Sequence, residues 1–241
     1  VGFGLAGPLR FTNDLRWVKY DAPALRLGRG YLDNHAELEY RFSADIRQFN
    51  SRPWEKYPGF RDLDINLKGR QGMLLVTLAD DYLELNYPWL FRDVLTLTRL
   101  DGHLLLNRTD AGFDLQSSLL RVHSNDLRSA TQFSLQLPAD STQPPFLALQ
   151  TTLRDVDAEK KSLYLPFGVI PPKLLQWLDE GILSGRLARG DIVVHGALGK
   201  EQAPNRRLLL GFTVHDVALR FLLDWTEPVT KLDADVIVDR G

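Results

Sequence analysis

The chain has 241 residues, 44% of them hydrophobic and 25% charged, with 29 Lys+Arg against 31 Asp+Glu and no cysteine. That composition excludes a disordered chain and is long enough to bury a core without staples. The near-balanced charge removes the usual electrostatic drive for a nucleic-acid partner, and the missing thiols exclude disulfides, thiolate catalysis and Cys-ligated zinc.

The chain opens Val1-Gly2-Phe3-Gly4-Leu5-Ala6-Gly7-Pro8-Leu9, without a basic segment in front and broken by Gly and Pro, so it reads as a poor signal peptide. Gly2-x-Gly4 with Gly7 imitates a dinucleotide-binding fingerprint, but no strand precedes it and Pro8 ends it. No uncharged apolar run approaches the ~18 residues a membrane-crossing helix needs. The chain is expected to be soluble as given and to be a piece of something longer.

Farther on, Ser51 to Pro58 carries two prolines and reads as a loop. Apolar and polar residues then alternate at period two. Leu83-Glu84-Leu85-Asn86-Tyr87 and Leu95-Thr96-Leu97-Thr98 come first. Asp101-Gly102 follows, a hairpin signal between apolar runs, before Leu104 to Leu106. Phe113-Asp114-Leu115-Gln116 and Phe133-Ser134-Leu135-Gln136-Leu137 repeat the alternation, separated by a break at Asn125-Asp126. Pro138 to Pro145 is a further break. Leu208 to Val214 and Asp235-Val236-Ile237-Val238 close the series. Alternation of this kind predicts strands with one apolar and one wet face, paired antiparallel. About a dozen or more strands are expected. The one credible helix follows Pro171-Pro172, near 172–180, with Leu174, Leu175 and Leu178 apolar and Gly181 as its stop. The fold class is therefore all-β, mainly antiparallel, with one short helix, and the whole of 1–241 reads as one continuous segment.

Residues that carry chemistry are sparse. His35, His103, His123, His195 and His215 are scattered and show no metal-ligand spacing. Asp62-x-Asp64 and Asp233-x-Asp235 place carboxylates on one side of an extended segment, a pattern that suits a hard cation or glycoside hydrolysis but equally a solvated strand face. Trp54, Tyr57, Tyr87 and Trp89 sit beside prolines in two loops. Arg206-Arg207 and Lys160-Lys161 are basic pairs suited to turns or to phospholipid headgroups. No catalytic residue, cofactor or metal ligand stands out. Two physical readings of the strands remain open here, a closed β core and an open apolar groove.

The stretch Tyr164-Leu165-Pro166-Phe167-Gly168-Val169-Ile170-Pro171-Pro172-Lys173-Leu174-Leu175-Gln176-Trp177-Leu178-Asp179 resembles a characteristic segment of the YhdP family of AsmA-like bacterial envelope proteins. The likeness runs on through Gly181 to Gly185 and Asp191 to Gly196. Upstream it includes Leu100 to Leu104, Phe113 to Leu115 and Phe133 to Pro138, and downstream Leu223-Asp224-Trp225. After Gly196 the family often has Phe-Pro, whereas this chain has Gly199 to Pro204. The resemblance implies a long curved sheet folded into a taco-like hydrophobic groove. It implies phospholipid movement between the inner and outer membranes of a Gram-negative bacterium. It also implies a periplasmic location, with the inner-membrane anchor in a segment outside this chain. It brings no catalytic residues; phospholipid acyl chains are the expected partner, and protein partners are unspecified.

On that reading the groove-lining candidates are Leu95, Leu97, Phe113, Leu115, Phe133, Leu135, Leu147, Leu149, Phe212, Val214, Val236 and Val238. The rival readings are a closed β-sandwich that binds carbohydrate or a protein through the Trp54 and Trp89 loops, and a hydrolase built on Asp62/Asp64 or Asp233/Asp235.

Overall fold

The computed structural model describes residues 17–21, 41–199, 201–222 and 226–240. The Gly2-Gly4-Gly7 stretch, His35 and the Leu223-Asp224-Trp225 segment lie outside them.

Fifteen strands account for most of the described chain. They are β1 (Trp17–Asp21), β2 (Arg41–Phe49), β3 (Gly59–Arg61), β4 (Leu63–Arg70), β5 (Met73–Asp80), β6 (Leu83–Asn86), β7 (Leu95–Leu97), β8 (Arg99–Thr109), β9 (Gly112–Ser117), β10 (Leu120–His123), β11 (Arg128–Pro138), β12 (Phe146–Asp157), β13 (Ile182–Ala197), β14 (Arg207–Leu219) and β15 (Val229–Arg240). Helices are short: α1 (Lys161–Tyr164) and α2 (Pro172–Gly181), with single 3-10 turns at Ala158–Lys160 and Ala203–Asn205. The expected helix is α2, entered through Pro172 in its first turn, where the missing N–H costs nothing. The all-β, antiparallel expectation holds.

Twelve strands form one sheet in the order β1-β2-β4-β5-β8-β10-β11-β12-β13-β14-β15, and every pairing is antiparallel. β9 shares the gap between β8 and β11 with β10, so the two short strands stack end to end there. Tight turns close the β4–β5, β8–β9 and β10–β11 ladders, and longer connections join most of the other neighbours. Three further strands, β3-β6-β7, form a small second sheet.

One expected turn is absent. Asp101-Gly102 lies inside the continuous strand β8. Gly102 has φ +142°, and a Cβ there would stand 2.6 Å from Leu120 Cδ2. β8 pairs with β9 up to Leu104 and with β10 below Asp101, and the glycine sits where the partner changes. Asp-Gly here serves a kink and a close approach, two uses of glycine that a local pattern does not separate from a hairpin.

Kinks recur on other strands toward the same end of the sheet. Gln48, Asp155, Asp216 and Lys231 adopt left-handed backbone at φ 52°, 60°, 51° and 58°. Those at Gln48, Asp216 and Lys231 coincide with register shifts between strands. Such bulges bend a strand and increase its twist.

The inserted elements all leave from this kinked end. β3 lies between β2 and β4, β6 and β7 lie between β5 and β8, and α1 and α2 lie between β12 and β13. The small sheet packs on the large one around Leu63, Leu83, Leu95, Leu97 and Leu100, with Leu163 and Tyr164 from α1 against the same cluster. The α1–α2 segment is pinned on three sides. Tyr164 OH lies 2.7 Å from Ser124 Oγ, Arg92 pairs with Asp179 at 2.6 Å, and Trp177 Nε1 donates to the Phe221 carbonyl at 2.9 Å. We call this end the covered rim and the opposite strand ends the free rim.

Candidate lipid-binding face

Register decides which side chains share a face, because paired residues in an antiparallel ladder point the same way. Tracing one row across the sheet gives Leu106 opposite Leu115, Leu115 opposite Leu135, Leu135 opposite Leu147, and Leu147 opposite Gly196. The next row gives Phe133, Leu149, Val194 and Leu208. Thr151, Ile192, Leu210 and Val238 follow, then Leu153, Gly190, Phe212 and Val236. On the other wing, Ala44 pairs with Leu67, Leu67 with Val76, and Val76 with Leu104. One face of the sheet is therefore apolar from β2 to β15.

The opposite face is wet, and its polar groups bond to one another across strands. Thr152 Oγ1 donates to Asp191 at 2.7 Å, Thr213 Oγ1 to Asp235 at 2.7 Å, and Arg121 pairs with Asp101 at 3.0 Å. A guanidinium beside Asp191, from Arg189, holds that carboxyl below the usual range. The described histidines are on this side and stay apart. His103 meets Thr77 at 3.1 Å, and His195 stands edge-on to Phe146.

Ten of the twelve expected lining residues occupy the apolar face. Phe113, Leu115, Phe133, Leu135, Leu147, Leu149, Phe212 and Val214 are half-buried there. Val236 and Val238, on the edge strand β15, are exposed. Leu95 and Leu97 are elsewhere. They belong to β7 in the small sheet and are only 8% and 4% exposed, inside the core at the covered rim. Their alternation is real, but it meets a second sheet instead of solvent. The sequence reading also missed Leu74, Val76, Leu104, Leu106, Ile192, Val194 and Leu210 on the same face. Their strands carry solid apolar runs such as Met73 to Val76, which hide the period of two until register is known.

The face is open over most of its width. Among the described residues seven apolar side chains are buried, and five of these form the covered-rim cluster. From β11 to β15 only Val156 and Val217 join them, both close to the kinks. A sandwich of this many strands would bury its inner rows throughout.

The paired carboxylates do not form a site. Asp62 is itself left-handed at φ 61°. Asp64 accepts from the Gln48 N–H at 2.8 Å and from Arg47 at 2.7 Å. Asp233 accepts from the Asp216 N–H at 2.9 Å, and Asp235 from Thr213. Apart from Asp62, these carboxylates are spent on backbone bulges and cross-strand bonds. The two aromatic loops do meet: Tyr87 OH donates to the Lys56 carbonyl at 3.0 Å, and Lys56 Nζ lies 5.8 Å from the Trp89 ring centre. Trp54 stacks on Tyr57 beside them.

The sequence model of the YhdP protein family matches residues 17–240, which spans the whole described sheet. The chain belongs to the YhdP family. That makes it an AsmA-like bacterial envelope protein. No curated protein and no solved structure matches the chain significantly. The YhdP segment singled out in the sequence, Tyr164 to Asp179, is the one that pins the small sheet and α2 over the covered rim. Among the described residues no helix is long and apolar enough to cross a membrane.

Proposed function

We propose that this chain is a groove segment of a bridge-like phospholipid transporter, along which acyl chains move between the inner and outer membranes of a Gram-negative envelope. The observation that carries this reading is the largely apolar face from β2 to β15, interrupted by the hydrogen-bonded Thr131–Thr151 pair and left open across β11–β15. Each buried CH₂ of an acyl chain gains about 0.8 kcal/mol on such a surface. A lipid with some ten methylenes in contact is then held without any strong directional bond, and the uniform rows of Leu, Val and Phe offer equivalent positions on neighbouring strands. Bulges on several strands bend and twist them, and the small sheet covers one rim of the face, which favours a trough over a flat platform. On this reading the chain performs no chemistry, works in the periplasm, and is anchored at the inner membrane by a segment outside it.

The test is a photo-crosslinking scan in cells, with a photoreactive residue placed in turn at two adjacent positions on each of β11, β12 and β13. Sites at Phe133, Leu149 and Val194 are expected to capture phospholipid. Their neighbours Gln132, Gln150 and Val193, on the other face, are not. Val193 is the discriminating control, because it is apolar and faces away from the trough. Equal capture at both members of each pair, or capture at neither, overturns the proposal.

A further inference from the structure

The apolar face ends differently at its two rims. At the covered rim it runs under the small sheet and the α1–α2 segment. At the free rim, among the described residues, the strands are joined by turns and by short connections, one of them holding the Ala203–Asn205 turn, and there the groove-face register carries arginine. Arg108 follows Leu104 and Leu106 on β8, opposite Phe113. Arg240 follows Val236 and Val238 on β15, opposite Leu208. Arg206 stands two residues before Leu208, with its guanidinium on the carbonyls of Ala197 and Gly199.

Among the described residues these guanidiniums have no carboxylate partner. The described residues hold seven Arg–carboxylate pairs, and none includes an arginine of the free rim. Among the described acids at that rim, Asp110 in the β8–β9 turn and Glu201 in the β13–β14 connection are exposed and belong to none of those pairs; Asp140 is engaged by Thr142, and Asp114 and Asp239 stand on the polar face. Arg108 and Arg240 are both exposed, each one step along its strand from the apolar rows.

A ligand that fits this boundary has an apolar tail and an anionic head. We propose that Arg108 and Arg240 contact the phosphate of lipid headgroups while the acyl chains lie on the rows below them. The headgroups therefore project over the free rim and not over the rim capped by α2. Six strand spacings separate the two arginines, roughly 30 Å, so they act on different lipids or on one lipid at successive positions. An exposed guanidinium–phosphate contact is weak enough to release, which suits a path better than a storage site. The inference rests on the reading of this face as a lipid path.

The test uses the purified chain and a neutral apolar fluorophore, N-phenyl-1-naphthylamine, as the groove probe. Two competitors that differ only by a phosphate, lysophosphatidic acid and monooleoylglycerol, are titrated below their micelle-forming concentrations. Lysophosphatidic acid is expected to displace the probe at about tenfold lower concentration than monooleoylglycerol. The double variant R108Q/R240Q is expected to bind the probe as before and to lose most of that gap. R108K/R240K should keep most of it, and K68Q, on the polar face, should keep all of it. A gap absent in the wild type, or unchanged in R108Q/R240Q, overturns the assignment of the arginines and leaves the groove standing. Failure of the wild type to bind the probe overturns the groove and this inference with it. Inorganic phosphate is the third ligand: heat stabilisation by phosphate alone equal to that by lysophosphatidic acid, and lost in R108Q/R240Q, would assign a free-anion site and overturn the headgroup reading.

Discussion

The backbone N–H of Asp216 donates to Oδ1 of Asp233 across the β14–β15 pair, at 2.9 Å. Asp216 is left-handed, and the ladder skips a step beside it. The same arrangement appears at the far side of the sheet, where the left-handed Gln48 donates to Asp64 at 2.8 Å. A bulge leaves a backbone amide without its ladder partner, and in both places a carboxylate on the neighbouring strand supplies one. Two of the four aspartates that looked like candidates for chemistry, Asp64 and Asp233, hold bulges in the sheet.

Removing one of these clamps is expected to loosen the bulge. The Asp216 N–H holds the Asp233 carboxyl below the usual carboxylate range, with His215 contributing. A depressed folded pKa means that this stabilisation is present above the ordinary range and is lost as pH falls through the depressed value. D233A should therefore melt below wild type at pH 7, and the difference should narrow as the pH is taken below about 4. A difference that stays constant across a pH series of thermal melts would show that the carboxylate charge is not what matters.

Leu97 and Leu115 separate the closed part of the molecule from the open part. Leu97 is sealed between the two sheets, and Leu115 is half-buried on the broad face. L97D buries a carboxylate without a partner and should cost several kcal/mol, on the order of 3–5, or prevent folding. L115D should fold with a loss of roughly 1–2 kcal/mol, since its carboxylate reaches water when the face is empty. In cells the L115D protein should also lose lipid crosslinking at Leu149. Urea titrations of both variants, with crosslinking on the second, check this.

Gly168 fixes the family segment against the small sheet. A Cβ there would stand 1.9 Å from the Trp89 carbonyl oxygen, a backbone atom that cannot turn aside. G168A should cost about 1–3 kcal/mol, and it should expose the covered rim before the sheet itself unfolds. Hydrogen exchange should show faster exchange in α2 and in residues 87–94, with β11–β14 unchanged.

Asp80 acts in the opposite sense to Asp233. Its side chain is buried beside the core, with Oδ1 accepting from the Asp64 N–H at 2.8 Å and Oδ2 lacking a partner. Burial pushes its carboxyl up, only partly offset by the Asp64 N–H. A raised folded pKa means that ionisation costs stability above that value and that the cost is relieved as pH falls. D80N keeps the acceptor and removes the charge. It should melt above wild type at pH 8, and the gap should close toward pH 4. A melting temperature below wild type at all pH values would show that the ionised carboxylate stabilises the core.

Much of this architecture was legible in single strands. Phe133-Ser134-Leu135-Gln136-Leu137 can only put Phe133, Leu135 and Leu137 on one side, because successive strand residues point to opposite faces. The antiparallel class followed from the polar residues between them, and α2 from Pro171-Pro172 and the spacing of Leu175 and Leu178. The Tyr164 to Asp179 segment carried the family in the same way. Asp101-Gly102 misled, because a glycine that allows a close approach to Leu120 has the same local signature as one that turns the chain.

The sequence by itself determined the β class and the side-chain alternation, since each depends on composition or on a few adjacent residues. Whether an alternating strand faces a groove or a core was decided only by the tertiary structure. Leu95-Thr96-Leu97 and Phe113-Asp114-Leu115 read alike, yet the first is covered by residues from β4, β6 and β8 and the second is not. Burial is a property of the partners that arrive from distant segments, and a period of two carries no information about them.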